Sequence, residues 1–217
     1  MRKFNIVLIL IIFLGNIEKG NSQIIDGIGV KTGLSVSNMT ISSEFGNYID
    51  YKYKVGISHG YFLEILNSKF FNIVTNLGFY QSGTRYNSPL LYSNNETNTI
   101  KLDYLTFDTQ VKFKIGYKRV NSFIQFGPKY DYLISHSNLM SEQMLSQLEF
   151  NKGLAGITYG LGISYNFNKI SVGGIFNTNL NFKDMLINDG EYMQPKFSSN
   201  FNSLFFNFFL KFNLNKD

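Results

Sequence analysis

Hydrophobic residues alternate with polar or small residues along most of this chain, at every second position. Eight stretches follow the pattern: residues 28–36, 51–65, 71–79, 105–117, 122–134, 155–167, 170–182 and 204–212. Successive side chains of a β-strand point to opposite faces of the sheet, so a period of two indicates strands. The sequence therefore predicts an all-β chain of eight strands.

Charged side chains occupy only one of the two faces that this alternation defines. The hydrophobic face of the eight stretches has no Asp, Glu, Lys or Arg. The other face has ten charged residues, which are Lys31, Lys52, Lys54, Glu64, Asp108, Lys112, Lys114, Lys129, Asp131 and Lys211. A Lys or Arg that faces lipid near the bilayer centre costs about 2 to 4 kcal/mol. The partition therefore predicts a transmembrane β-barrel whose hydrophobic face contacts lipid.

The size of the side chains indicates which face points inward. An eight-stranded barrel has an interior only wide enough for its own side chains or one small ligand. The hydrophobic face is too bulky for that space, whereas the charged face is rich in glycine, which suits tight packing. We therefore expect the ten charged residues to form a polar network that plugs the lumen. Two alternatives are a water-soluble, lipocalin-like barrel with the opposite facing and a barrel with a narrow anion leak.

The connections between the stretches alternate in length. Those over residues 37–50, 81–99, 135–152 and 183–200 are long, and those over 67–69, 118–121 and 168–169 are short. Outer-membrane barrels have short turns on the periplasmic side and longer loops outside the cell. The sequence therefore predicts an antiparallel up-and-down barrel with long extracellular loops and both termini in the periplasm. Ile100, Leu102 and Tyr104 are out of phase with Leu105 onward, which predicts a β-bulge near Tyr104.

The first 22 residues have the features of a secretory signal peptide. A basic start, Met1-Arg2-Lys3, precedes the apolar run from Ile6 to Leu14, and Gly20-Asn21-Ser22 provides small residues before a cleavage point ahead of Gln23. The apolar run is too short to span a bilayer as a helix. We expect a signal peptide over residues 1–22 and one barrel domain over 23–217, located in the outer membrane of a Gram-negative bacterium.

Composition narrows the function further. The 22 Phe, 14 Tyr and 19 Gly are typical of strands and turns, and the absence of Cys excludes a disulfide framework and thiolate metal sites. Removal of residues 1–22 lowers the net charge from +5 to +3, which is mild, and the remaining bases are scattered, so we expect no nucleic-acid partner. The expected partners are outer-membrane lipid, the outer-membrane insertion machinery and other envelope proteins that contact the long loops.

Three segments resemble the PorT-like outer-membrane β-barrel family. The run from Gly29 to Asn38, GVKTGLSVSN, resembles its opening strand, Leu102-Asp103-Tyr104-Leu105 with Val111-Lys112-Phe113 its fourth, and Phe126-Gly127-Pro128 its fifth. The resemblance covers the mature chain and implies a small eight-stranded, porin-like barrel. Family members include a factor required for protein secretion across the outer membrane. The resemblance implies no catalytic or binding residues for this chain.

Candidate chemistry is sparse. The two histidines are His59, on the hydrophobic face, and His136, predicted in a long loop between Ser135 and Ser137. An outer-membrane lipid-modifying enzyme would require a histidine, a serine and an acid to converge, and the spacing does not indicate this. We expect no enzymatic activity, no cofactor and no metal site. The sequence favours a structural or partner-binding envelope protein, and the alternative is an accessory factor of secretion or assembly.

Overall fold

Alternating polarity produces long strands that close into a barrel. The computed structural model describes residues 25–43, 50–66, 68, 70–87, 98–117, 119–138, 149–182, 186–187 and 197–214. The strands are β1 (Ile25–Ser43), β2 (Asp50–Ile65), β3 (Phe71–Asn87), β4 (Asn98–Tyr117), β5 (Val120–Asn138), β6 (Glu149–Phe150), β7 (Gly153–Phe167), β8 (Ile170–Asn181), β9 (Leu186–Ile187) and β10 (Phe197–Asn213). The predicted signal peptide lies outside the described residues.

Eight of these strands form a closed antiparallel barrel in the order β1-β10-β8-β7-β5-β4-β3-β2. Each barrel strand pairs with its neighbours along the chain, and β1 pairs with β10 from Gly27↔Asn213 to Ser43↔Phe197 to close the sheet. The predicted eight-stranded up-and-down barrel is therefore confirmed. The short strands β6 and β9 pair separately, which the sequence did not indicate. Within the described residues, no helix has the length and apolar character needed to span a membrane.

The two faces of the wall differ as the alternation requires. Along β7, Leu154, Gly156 and Thr158 are buried, whereas Ile157 and Leu161 are exposed. The same contrast holds around the barrel, since most of the large apolar side chains that are exposed belong to the hydrophobic face. Large apolar groups on the outside of a closed barrel are stable only where lipid surrounds them. The wall therefore has the polarity of a membrane barrel.

The strands extend beyond the hydrophobic stretches at the end of the barrel opposite the termini. β1 continues to Ser43, β3 to Asn87 and β5 to Asn138, so the connections there are shorter than predicted. The predicted boundaries at Ser37, Gln81 and Ser135 were wrong. Outside the hydrocarbon zone a strand needs no apolar face, so its sequence resembles that of a loop. The turns at the other end are short, as predicted.

The irregularity near Tyr104 lies in the partner strand. Asp103 pairs with Ser135 and Tyr104 pairs with Leu133, so the extra residue, Ile134, belongs to β5. β4 itself keeps its phase, and the side chains of Ile100, Leu102 and Tyr104 are buried inside the barrel. The prediction located the register shift correctly and assigned it to the wrong strand. Apolar residues that face the lumen look like a phase change when only one strand is considered.

The C-terminal part of β3 is displaced onto the inner face of β2, where it contacts β1. The pairing of β2 with β3 is irregular between Tyr53 and Ser58. There the Ser35 hydroxyl of β1 donates a hydrogen bond to the Gln81 carbonyl, and the Ser37 hydroxyl donates one to the Gly83 carbonyl at 2.9 Å. Gly83 has a φ of 135°, a conformation that favours glycine. This displacement narrows the lumen at the end of the barrel opposite the termini.

Candidate functional site

The barrel interior holds most of the charged residues that the alternation places there. Lys54, Glu64, Asp108, Lys112, Lys129, Asp131 and Lys211 are buried. Lys31 and Lys114 are half-buried, whereas Lys52 is exposed near the end of β2. Lys52 shares the inward face, but it lies where the wall no longer encloses it. The buried charges require partners, because an isolated charge is costly away from water.

An ion cluster, defined as Asp26, Glu64, Asn72, Lys112 and Lys211, occupies the lumen near the termini. Lys112 Nζ lies 2.6 Å from Glu64 Oε1, and Lys211 Nζ lies 2.8 Å from Glu64 Oε2 and 3.0 Å from Asp26 Oδ2. Asn72 Nδ2 donates to Glu64 Oε2 at 3.0 Å and to Asp26 Oδ2 at 3.3 Å. Two ammonium groups thus neutralise two carboxylates, which allows all four to be buried.

Asp26 is a member of this cluster that the sequence did not predict. It precedes the first hydrophobic stretch, and its even number would place it on the lipid side of β1. The pairing of β1 with β2 shifts between Ile25 and Gly27, and Asp26 is the residue left unpaired by that bulge. A bulge re-aims a side chain, and here Asp26 is buried against Lys211. In the sequence, Asp26 stands out only as an acidic residue in phase with a face that otherwise lacks charge.

An aromatic layer, defined as Phe62, Val74, Phe123, Ile175 and Phe209, lies directly above the ion cluster. On β2 the layer residue Phe62 precedes Glu64 by one inward position, and on β10 Phe209 precedes Lys211 in the same way. Phe209 packs edge-on against Phe62 with ring centroids 5.8 Å apart and against Phe123 at 6.1 Å. Lys112 Nζ lies 4.1 Å from the Phe123 ring centroid, so a cation–π contact joins the layer to the ion cluster.

A second polar group, the mid-lumen cluster, lies on the other side of the aromatic layer. It consists of Lys31, Asn76, Asp108, Gln110, Lys129, Asp131 and Tyr80. Asp108 Oδ1 accepts hydrogen bonds from Asn76 Nδ2 at 2.6 Å and from Gln110 Nε2 at 2.5 Å. Asn76 Oδ1 in turn accepts from Lys31 Nζ at 2.9 Å. The uncharged Asn76 amide therefore connects Lys31 to Asp108, a contribution that the charge pattern alone did not reveal.

Asp131 links the mid-lumen cluster to aromatic residues nearer the far end of the barrel. It forms an ion pair with Lys129 and accepts a hydrogen bond from the Tyr80 hydroxyl at 2.7 Å. The Tyr80 ring stacks on Tyr104 with centroids 5.2 Å apart and packs edge-on against Phe205 at 5.0 Å. The lumen thus alternates between polar and aromatic layers along its axis.

Little space remains between these layers. A cavity of about 20 Å³ lies between the ion cluster and Lys31, and one of about 40 Å³ borders Asp108, Lys129 and Tyr80. Each has room for roughly one or two water molecules. The larger concavities, of about 630 and 660 Å³, lie on the lipid-facing side of the wall around Gly174. The lipocalin-like alternative, which requires an apolar internal cavity, does not fit this interior.

The histidines lie on strands. His59 faces outward from β2, and its Nδ1 is 2.7 Å from Thr32 Oγ1 on β1. His136 belongs to β5, beyond the bulge at Ile134, and not to a loop as predicted. In the part of the chain that the structure describes, no three His, Cys, Asp or Glu residues are grouped so that they could hold a metal ion.

Comparison with known proteins agrees with this architecture. The outer membrane protein OprG from Pseudomonas aeruginosa has a TM-score of 0.58 and 10% sequence identity, covering 88% of this chain and 98% of that one. Ail, the attachment invasion locus protein of Yersinia pestis, has a TM-score of 0.44 and 12% identity, covering 86% and 99%. At 10% identity, the likeness to OprG shows the fold alone. No curated protein matches the chain in sequence.

The chain matches a sequence family over residues 22–216, which is nearly its whole length. The match includes every strand that forms the closed barrel. Proteins of this type reside in the outer membrane of Gram-negative bacteria, the location that the lipid-facing wall requires. The chain therefore belongs to the outer membrane protein beta-barrel domain family.

Proposed function

We propose that this chain is a non-enzymatic outer-membrane protein with a plugged, polar lumen. Its role is structural or partner-binding, and its longer connections face the cell exterior. The observation that supports the plug most directly is the small size of the lumen cavities, about 20 and 40 Å³. The ion cluster holds the surrounding charges in pairs, so an ion that entered would compete with existing contacts.

A conductance measurement tests the plug. The refolded protein, inserted in a planar lipid bilayer, should give no current steps in potassium chloride, whereas a general porin in the same membrane should give them. Regular steps that select for anions would contradict the plug and support the narrow anion leak. Insertion of the folded barrel is verified beforehand by its faster gel mobility without heating.

The partner-binding role depends on the longer connections. A variant in which residues 139–148 are replaced by a short Gly-Ser turn should fold normally, because the barrel pairing of β5 with β7 ends at Tyr132↔Gly153. If an envelope protein binds there, it should copurify with the unchanged chain in mild detergent and be lost from the variant. Partners that are unchanged in both samples would contradict binding through this connection.

Protein secretion is the alternative role, and the resemblance of residues 29–38 to the PorT-like opening strand favours it. A strain that lacks the chain should then retain exported proteins in the periplasm. Secretion that continues at the normal rate would remove this alternative.

The non-enzymatic assignment predicts that His136→Ala leaves the outer-membrane lipids unchanged. A lipid modification that is lost in this variant would contradict the assignment.

A further inference from the structure

Three phenylalanines of the aromatic layer each pack against a glycine directly across a strand pair. The paired residues are Gly29↔Phe62, Phe123↔Gly162 and Phe209↔Gly173. At each glycine, an added Cβ would overlap Cζ of the facing phenylalanine ring. The glycines therefore act as sockets that leave room for the ring tips, and covering a glycine with an aromatic ring is a known device in sheets. Each ring is fixed by the backbone of the neighbouring strand.

The same three rings meet in the middle of the lumen. Phe209 contacts both Phe62 and Phe123 edge-on, with centroids 5.8 and 6.1 Å apart, and Val74 and Ile175 complete the cluster. The layer draws its side chains from β2, β3, β5, β8 and β10, so it is anchored on several sides of the barrel. The remaining cavity beside it, about 20 Å³, has room for roughly one water molecule.

This layer lies between two polar groups of the lumen, and the cavity of about 20 Å³ beside it borders Glu64 and Lys112 on one side and Lys31 and Asn76 on the other. Below it, Glu64 pairs with Lys112 and Lys211, and above it Asp108 accepts hydrogen bonds from Asn76 and Gln110. Polar residues can rearrange around a passing ion and partly replace its water. The apolar side chains of the aromatic layer cannot, and hydrophobic constrictions of this kind stop ions by excluding water.

We propose that the aromatic layer, and not the ion cluster, is the barrier that closes this barrel to ions. The inference rests on the proposed plugged lumen and specifies its location. The glycine sockets make the barrier rigid, because each ring is held between a neighbouring ring and a strand backbone. The ion cluster then serves to satisfy the buried charges that flank the barrier.

The test compares the conductance of four proteins in planar bilayers. Phe62→Ala with Phe209→Ala removes two of the three rings and should produce discrete current steps that the unchanged chain lacks. Lys211→Met opens the ion cluster, leaves the rings in place and should stay silent. Phe206→Ala removes a ring from the lipid-facing side of β10 and is the matched control, which should also stay silent. Gel mobility without heating verifies that each variant is folded.

The outcomes separate this inference from the proposed function. Steps in the unchanged chain would overturn the plug itself. A silent chain together with a folded but silent double variant would leave the plug and overturn the aromatic layer as the barrier. Steps in Lys211→Met equal to those of the double variant would overturn it as well. If the double variant does not fold, Phe209→Ala alone takes its place, with the same expectation of new steps and the same contradicting result.

Discussion

Substitution of a single charged residue in the lumen should lower stability more than substitution of a charged residue on the surface. Glu64 accepts hydrogen bonds from two lysines, and Lys211 bridges two carboxylates, so each of these two side chains has more than one charged partner. Removing one member of a buried ion pair leaves its partner charged and unpaired, which costs far more than losing an exposed pair. The cluster should therefore dominate the response to charge substitutions.

Lys211→Ala should lower the free energy of unfolding by about 3 kcal/mol, because Asp26 would lose its ammonium partner and Glu64 would keep one ammonium partner, Lys112, instead of two. Lys169→Ala, at an exposed turn, is the control and should change stability by less than about 0.5 kcal/mol. Denaturant unfolding in lipid vesicles measures both. Equal effects of the two substitutions would show that the cluster adds little stability.

At the scale of the strand, depth in the membrane determines what the outer face tolerates. Leu161 and Phe167 both face outward from β7 and are 60% and 52% exposed, but one lies mid-strand and the other at the strand end. A charge costs most at the bilayer midplane and little near the headgroups. The two positions differ in depth and hardly in exposure.

Leu161→Lys should therefore destabilise the barrel by about 2 to 4 kcal/mol, and Phe167→Lys by about 0 to 1 kcal/mol. Unfolding and refolding in vesicles of one lipid composition gives both values, and the Phe167 variant serves as the control. A similar cost at both positions would mean that the outer face does not follow the depth of a bilayer.

The inward displacement of the C-terminal part of β3 requires the backbone conformation of Gly83. Its φ of 135° is strained for any other residue, and a Cβ there would overlap the Ile100 carbonyl oxygen. Gly83→Ala should destabilise the protein by more than about 1 kcal/mol. Gly174→Ala is the matched control: its nearest neighbour would be the Asn207 carbonyl oxygen at 4.0 Å, so it should be neutral. Chemical denaturation compares the two, and a neutral Gly83→Ala would contradict the strained backbone.

At the scale of the whole molecule, closure by β1 and β10 puts both ends of the described chain at the side with the short turns. The longer connections all lie at the other side. In an outer membrane we therefore expect the longer connections to lie outside the cell, because the short turns of such barrels face the periplasm.

Cysteine labelling tests this orientation, since the chain has no cysteine of its own. Ser93→Cys, in the connection between β3 and β4, should react with a membrane-impermeant maleimide on intact cells. Lys169→Cys, in the turn between β7 and β8, should react only after the cells are opened. The reverse pattern of labelling would contradict the orientation.

The sequence by itself determined the number of barrel strands, the closed up-and-down barrel and the facing of the wall. Lipid excludes charge from the outward positions in the hydrocarbon zone, so each strand shows the pattern independently of its neighbours. The same rule identified Glu64, Lys112 and Lys211 as inward-facing residues. It could not find strand ends such as Ser43 or Asn138, because outside the hydrocarbon zone the polarity of a strand is no longer constrained.

Only the tertiary structure decided which inward residues meet. Asp26 enters the ion cluster through a bulge, and Ile134 changes the pairing of β5 while β4 continues unchanged. The register of neighbouring strands likewise places Phe62, Phe123 and Phe209 opposite glycines and against one another. Facing is a local property of one strand, whereas register and closure arise from hydrogen bonds between strands distant in sequence. For that reason the sequence alone predicts the two faces of the barrel wall, whereas the contacts between residues in the lumen are known only from the tertiary structure.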